Sequence, residues 1–239
     1  TMELGELLQP AIDLARDGYA ITERVSLDWH SQFDLLNNDA NARKRFLPNG
    51  KAMNPGDVHH QPELAQTLEK IAQHGRDAFY KGDVAEDMVS YLQSLGGLHT
   101  MDDFAAAKGD YVNPIKTNFR GYDVYECPPN GQGVIALLML NIMAGFNPAD
   151  TEADSIQRLH LEIEASRLAY HDRDAVLADP QQSSVPVEGL LSQAHADQLR
   201  AQISPSKRNG TLAPVSIPKH EDTVYISVVD KDRNCCSFI

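Results

Sequence analysis

One residue late in the chain combines more chemistry than any other: Thr223, in the run His220-Glu221-Asp222-Thr223-Val224-Tyr225-Ile226-Ser227-Val228-Val229-Asp230. If the peptide bond between Asp222 and Thr223 is cut, Thr223 carries a hydroxyl nucleophile and a free α-amine on one residue. An α-amino group titrates near pH 7.7 to 8.0, about 2.5 units below a lysine, so part of it is neutral at physiological pH and accepts the hydroxyl proton. That pairing is what an N-terminal threonine hydrolase needs, with Thr223 as its catalytic residue and the Asp222–Thr223 bond as the one to be cut. A threonine opening a strand is by itself an ordinary β-former, so the rest of the chain has to carry this reading.

Three other groupings compete as sites. Gly131-Gln132-Gly133 precedes an apolar helix and could cradle a phosphate at the helix N-terminus, but no Lys-Ser/Thr and no third glycine follow. It reads instead as a tight turn with close backbone packing. His160, Glu164 and His171 share about one helix face, a spacing that could hold a metal; without a further set of ligands they read as a solvated or hydrogen-bonded face. His59 and His60 fall in a predicted loop without metal spacing. Cys127, Cys235 and Cys236 form neither a disulfide framework nor a CxxC pair and read as reduced, buried thiols. No metal and no cofactor is expected.

The elements that must position Thr223 are helices first and strands last. Leu7, Leu8, Ala11, Ile12, Leu14 and Ala15 give a helical stripe closed by Gly18, with Pro10 at a break or in a first turn. Residues 37–58 are dense in turn formers and read as loop or hairpin. Pro62 opens a helix with Leu64, Leu68 and Ile71 on one face and Gly75 at its end. Another helix runs from about Val84 to Leu95, and Thr100-Met101-Asp102-Asp103 has the pattern of a capping box. Phe119 to Cys127 alternates as one strand, which Pro128-Pro129 ends before an apolar helix over Gly133 to Ala144. Helices follow from about Asp154 to Asp172, carrying Ile156, Leu159, Ile163 and Tyr170, and from about Leu191 to Ile203. Residues 204–222 hold Pro205, Pro214 and Pro218 with few large apolar residues, an exposed linker. Val224 to Asp230 reads as a buried strand and Asn234 to Ile239 as its partner, joined by Lys231-Asp232-Arg233. Absence of a βαβ rhythm places the chain in the α+β class.

Composition narrows the partners. The 239 residues are 42% hydrophobic and 23% charged, enough for a globular core. A formal net charge of -13 argues against nucleic acid or an anionic membrane surface. The apolar run Gly133 to Ala144 is too short to span a bilayer. No signal peptide is visible, and the compartment is cytoplasmic or periplasmic, with a lean to cytoplasmic. The chain opens without Met and stops inside a predicted strand, so it reads as truncated at both ends.

In order along the chain, several stretches resemble the γ-glutamyltranspeptidase family: Leu8 through Gly18; Pro62 through Leu68 and Ala78 through Gly82; Gly96-Gly97-Leu98; Tyr122 through Pro129; Ala169-Tyr170-His171-Asp172-Arg173 with Asp179-Pro180; and Thr223 with Ser227 through Asp232. The resemblance implies a four-layer αββα N-terminal-nucleophile hydrolase sandwich of which this chain is one part. Residues 1–222 are then the C-terminal portion of the large subunit, ending in the linker 204–222, and residues 223–239 the first strands of the small subunit. It also implies self-cleavage before Thr223 and hydrolysis or transfer of γ-glutamyl groups from glutathione-like amides. The partners implied are a γ-glutamyl small molecule and the remainder of the same polypeptide. The arginine that grips the glutamyl carboxylate is expected before Thr1, and the other glutamyl contacts after Ile239. Val224 and Tyr225 stand where the family often has a second threonine and a histidine. Two alternatives stay open: an acylase of the same fold acting on glutaryl or cephalosporin amides, and a non-catalytic relative or fragment.

Overall fold

Pro62 opens and Gly75 closes one helix, and Gly18 closes another, as the sequence predicts. The computed structural model describes residues 2–147, 150–210, 212 and 224–238, and these divide between two units, Thr1–Gly109 and Asp110–Ile239.

In the first unit α1 (Leu4–Asp17) packs along α5 (Pro62–His74). Ile12 and Ala15 of α1 are buried and so is Ala65 of α5, while Leu7, Leu14 and Leu64 of the predicted stripes stay exposed. Small residues set the contact because they let the two backbones approach. The helix runs through Pro10 rather than starting at it. Gly18 ends it with φ +88, and a Cβ there would lie 2.6 Å from Val58 Cγ1; only glycine fits both the left-handed backbone and the approach. The chain then forms β1 (Tyr19–Ala20), antiparallel to β2 (Val58–His59).

Between those strands the predicted loop at 37–58 is corrected. After α2 (Glu23–Ser31) and α3 (Phe33–Asn38), α4 occupies Ala40–Phe46. Asp39 caps it, its carboxylate accepting from the Ala42 amide at 2.7 Å, and Arg43, Lys44 and Arg45 lie in its last turn, where cations favour the helix dipole. Asn41 sits inside α4 without interrupting it. Arg45 pairs with Glu63 in the first turn of α5, which holds the Glu63 carboxyl at about 2. His59, read from sequence as a loop residue, is buried in β2 with its Nε2 unpartnered, ringed by Tyr19, Trp29 and Phe46. Burial, with Arg45 and His60 nearby, pushes its imidazole below the usual range. The unit closes with α6 (Arg76–Tyr80), α7 (Asp83–Ser94) and α8 (Met101–Ala106). Thr100 and Asp103 make the predicted capping box.

The second unit opens with a hairpin in place of the single predicted strand. β3 (Ile115–Phe119) pairs antiparallel with β4 (Tyr122–Glu126), and Phe119 faces Tyr122. Arg120 and Gly121 turn the chain with φ 53 and 89, the pair of positive values a two-residue type I′ hairpin needs. Alternating polarity had hidden that turn. Four helices follow among the described residues: α9 (Gly133–Ala144), α10 (Ile156–Val176), α11 (Val187–Leu190) and α12 (Gln193–Arg200). Val134, Ile135, Leu138 and Ile142 of α9 form the core with Ala165, Leu168 and Ala169 of α10, Leu190, and Ala196 and Leu199 of α12. The buried face of α10 is Leu161, Glu164, Ala165, Leu168 and Ala169, the 0, 3, 4, 7, 8 spacing of one helical stripe. This corrects the predicted face, since Ile156, Leu159 and Ile163 are exposed. The alanines admit α9 closely, so the larger aliphatic residues fall outside.

The last elements are β5 (Ile226–Val229) and β6 (Cys235–Phe238), antiparallel with Ile226 opposite Phe238. Both strands form where predicted, but every residue of both is exposed, against the reading of a buried strand from Val224 to Asp230. A two-stranded sheet has two open faces, and burial needs a layer against each. No helix among the described residues is long and apolar enough to cross a membrane.

Candidate functional site

Asp222 and Thr223 lie outside the described residues, so the candidate site is approached from both of its sides. Upstream, the chain leaves α12 and passes along α10. His160 Nε2 sits 2.7 Å from the Ser204 carbonyl oxygen. The Asn209 amide donates to Glu164 Oε2 at 2.8 Å, and Arg167 Nη2 donates to the Asn209 carbonyl at 2.9 Å. Arg167 Nη1 closes the set on Glu164 Oε1 at 2.6 Å. Burial alone would raise the Glu164 carboxyl, which is 1% exposed; the Asn209 amide and the Arg167 guanidinium outweigh it and hold the group below the ordinary range.

Downstream, β5 and β6 are joined through a loop organised by one carboxylate. Asp230 accepts from the Asp232 amide at 2.9 Å, from the Asn234 amide at 2.8 Å and from Asn234 Nδ2 at 2.8 Å. The Asn234 side chain first, then these amides, lower its carboxyl. Arg233 takes φ 64 within this loop, and Ser237 Oγ donates to Tyr225 Oη at 2.8 Å across the strands. Register of the strand that begins just after Thr223 is thus fixed by its partner and by the loop.

The competing sites resolve into structural roles. A Cβ on Gly133 would lie 2.7 Å from Glu126 Cβ and 2.9 Å from the Cys127 carbonyl oxygen, which is the close packing expected of a tight turn. Arg173 donates to Gln132 Oε1 at 3.0 Å and lies 4.5 Å from the Tyr170 ring centre, tying that turn to α10. His195 Nε2 meets Asp172 Oδ2 at 2.6 Å and links α12 to α10. His160, Glu164 and His171 do not converge: the first two hold the 204–209 segment, and His171 points to solvent, its side chain 54% exposed. No group of three or more His, Cys, Asp or Glu that could hold a metal occurs among the described residues. Cys127, Cys235 and Cys236 are free and exposed, which corrects the expectation of buried thiols.

Sequence reasoning missed the grip of Glu164 and Arg167 on Asn209. An acid and a base three positions apart on one helix was its only visible trace, and that pattern is common on solvated faces. It also missed Asn141, buried in α9 at 5% exposure. Thr117 Oγ1 donates to Asn141 Oδ1, and Asn141 Nδ2 donates to the Leu191 carbonyl at 3.0 Å.

Comparison with known proteins places this arrangement in a family. The family description for gamma-glutamyltranspeptidase matches residues 1–239. A glutathione hydrolase-like YwrD proenzyme of Bacillus subtilis is 39% identical over 100% of this chain and 45% of its own length. Among solved structures, the gamma-glutamyltranspeptidase of Helicobacter pylori superposes with a TM-score of 0.82 at 28% identity, covering 94% of this chain and 65% of that one. A cephalosporin acylase from Bacillus halodurans superposes with a TM-score of 0.78 at 34% identity, over 85% and 39%. The chain thus spans less than half the length of its curated relative. Its mixture of helix and strand is part of the N-terminal-nucleophile hydrolase fold. The chain belongs to the gamma-glutamyltranspeptidase family.

Proposed function

We propose that this chain is the middle of a precursor that cuts itself between Asp222 and Thr223 and then hydrolyses or transfers γ-glutamyl groups from glutathione-like amides. Residues 1–222 are the C-terminal portion of the large subunit and residues 223–239 begin the small one. The family match over residues 1–239, which runs through the approach and the strand on either side of Thr223, carries this reading.

The chemistry follows from the two groups on Thr223. Its hydroxyl oxygen bonds to the γ-carbonyl carbon while the α-amine takes the hydroxyl proton. The tetrahedral intermediate collapses by breaking the carbon–nitrogen bond, and the departing amine receives that proton. A γ-glutamyl ester on Thr223 remains. Water or an acceptor amine, deprotonated by the same α-amine, attacks the ester and restores the hydroxyl. Partners for the α-carboxylate and α-amine of the glutamyl group come from the remainder of the polypeptide, because burying either charge unpaired is costly.

The test is Thr223→Ala in the full-length precursor. That variant should remain one unbroken chain without turnover, whereas Thr223→Ser, which keeps a hydroxyl and an amine, should process slowly and retain some turnover. Cleavage at the same bond in Thr223→Ala would end the proposal. A second reading, amidase action on glutaryl or cephalosporin side chains, is favoured by the likeness to the cephalosporin acylase. It uses the same nucleophile, and a panel of γ-glutamyl and glutaryl chromogenic substrates separates the two.

A further inference from the structure

Asn209 is held by both of its backbone polar groups. Its amide donates to Glu164 and its carbonyl accepts from Arg167, while Glu164 and Arg167 bond each other. The two points of attachment lie in the peptide groups on either side of the Asn209 Cα, and together they fix the direction of the chain as well as its place. One turn earlier on the same helix, His160 holds Ser204. Loop backbone is ordinarily left to water, and here it is bonded to a carboxylate that is 1% exposed. Packing does not call for that carboxylate: Leu161, Ala165 and Leu168 supply the apolar contacts of this face, and a buried acid without its partners is strongly destabilising. Among the described residues its bonds run to Arg167 and to the segment that leads toward Thr223.

We propose that Glu164 and Arg167, assisted by His160, are positioning residues for self-cleavage: they fasten Asn209 to α10 and so set the length and direction of the chain that delivers the Asp222–Thr223 bond. The inference rests on the cleavage proposed above. Thr223 stands fourteen residues beyond Asn209 and nineteen beyond Ser204, which His160 still holds, so releasing the grip changes the closure of that loop by less than about twofold. Lost orientation adds to that. After cleavage the same grip keeps the new C-terminal arm of the upstream part on α10.

The experiment uses the full-length precursor with Arg167→Met, Arg167→Lys and Glu164→Gln. Conversion to subunits is followed on denaturing gels, γ-glutamyl turnover is measured on the matured fraction, and deuterium exchange is read at amides 204–210 and in α9. We expect Arg167→Met to slow conversion at least threefold and to raise exchange at 204–210 at least tenfold, with α9 exchange rising far less and with kcat and KM of the matured fraction unchanged. Arg167→Lys keeps the charge opposite Glu164 and should fall between Arg167→Met and the parent. Wild-type conversion in a variant whose 204–210 segment has come loose overturns the inference, as does exchange that does not rise. Should Glu164→Gln fail to fold, the two Arg167 variants decide alone. Thr223→Ala is the control for the underlying reading: if it is still cut, self-cleavage through Thr223 falls; if it stays whole while the Arg167 variants convert normally, only the positioning role falls.

Discussion

The apolar runs of α9 and β5 are similar in sequence and opposite in fate. Val134, Ile135, Leu137, Leu138 and Ile142 are at most 2% exposed, whereas Ile226, Val228 and Val229 are 49%, 54% and 66% exposed. The helix has β3, α10 and α12 packed around it, while the strand belongs to a sheet of two. Hydropathy states which segments gain from burial; the number of surfaces opposed to them decides whether burial occurs. Stability in the second unit therefore concentrates in the helical core, and the proposed chemistry begins at the hairpin.

The largest effect should come from that core. Leu138→Ala removes a fully buried side chain from α9 and should lower the stability of this chain by about 2–5 kcal/mol. Urea denaturation would read it as a fall in midpoint with little change in slope. A loss near zero would show that α9 is loosely packed and that the contrast with β5 is only one of degree.

Next is the polar group that the core encloses. Asn141→Leu keeps the approximate volume but leaves the Thr117 hydroxyl and the Leu191 carbonyl without their partner. An orphaned buried polar group costs about 1–3 kcal/mol. Combining it with Thr117→Val should recover part of that loss, because one orphan disappears. Non-additivity in this cycle, read from the same urea midpoints, measures the link between β3 and α9. Strict additivity would mean that the hydrogen bond contributes nothing to it.

A third test compares two carboxylates, Glu164 in the helical face and Asp230 in the hairpin loop. Both are held below their ordinary values, so each contributes stability above its unfolded pKa, 4.5 for Glu and 3.8 for Asp, which is lost as pH falls through the lowered folded value. Only Glu164 is buried; solvent screens the fully exposed loop. Stability measured from pH 6 down to pH 2 should therefore fall below about pH 4.5. Glu164→Gln should flatten that limb and Asp230→Asn should leave it nearly unchanged. The reverse ranking would move the electrostatic weight to the hairpin.

Much of the fold was legible wherever a local rule sufficed. Pro62 and Gly75 bounded α5, Thr100 and Asp103 boxed α8, and the strands on either side of Lys231-Asp232-Arg233 fell where predicted. The reading failed where a neighbour decided. Ala165 and Ala169 outrank Ile156 and Ile163 on α10 only because α9 lies close, and no one-dimensional hydropathy pattern records that. Arg120-Gly121 was hidden by strand alternation that continues across a two-residue turn. Of the candidate site, Thr223 was named from its chemistry and the family resemblance. The spacing of Glu164 with His160 and His171 shows only a weak metal pattern, whereas its partners, Arg167 and the backbone of Asn209, are brought to it by the fold.

The smallest effect belongs to the hairpin, and it sharpens the comparison most. Val228→Thr preserves shape and strand propensity while replacing a methyl with a hydroxyl. In the 239-residue chain Val228 is 54% exposed, so the substitution should change stability by less than about 0.5 kcal/mol. In the full-length precursor, if the remaining polypeptide covers β5, the hydroxyl enters an apolar layer and the same substitution should cost about 1–3 kcal/mol. The difference between the two midpoints then measures how much of the hairpin's burial is supplied from outside this chain. Equal, negligible effects in both proteins would leave β5 solvent-exposed in the complete molecule, and Thr223 would then stand at the start of a surface strand, where water competes for every hydrogen bond that its amine and hydroxyl need.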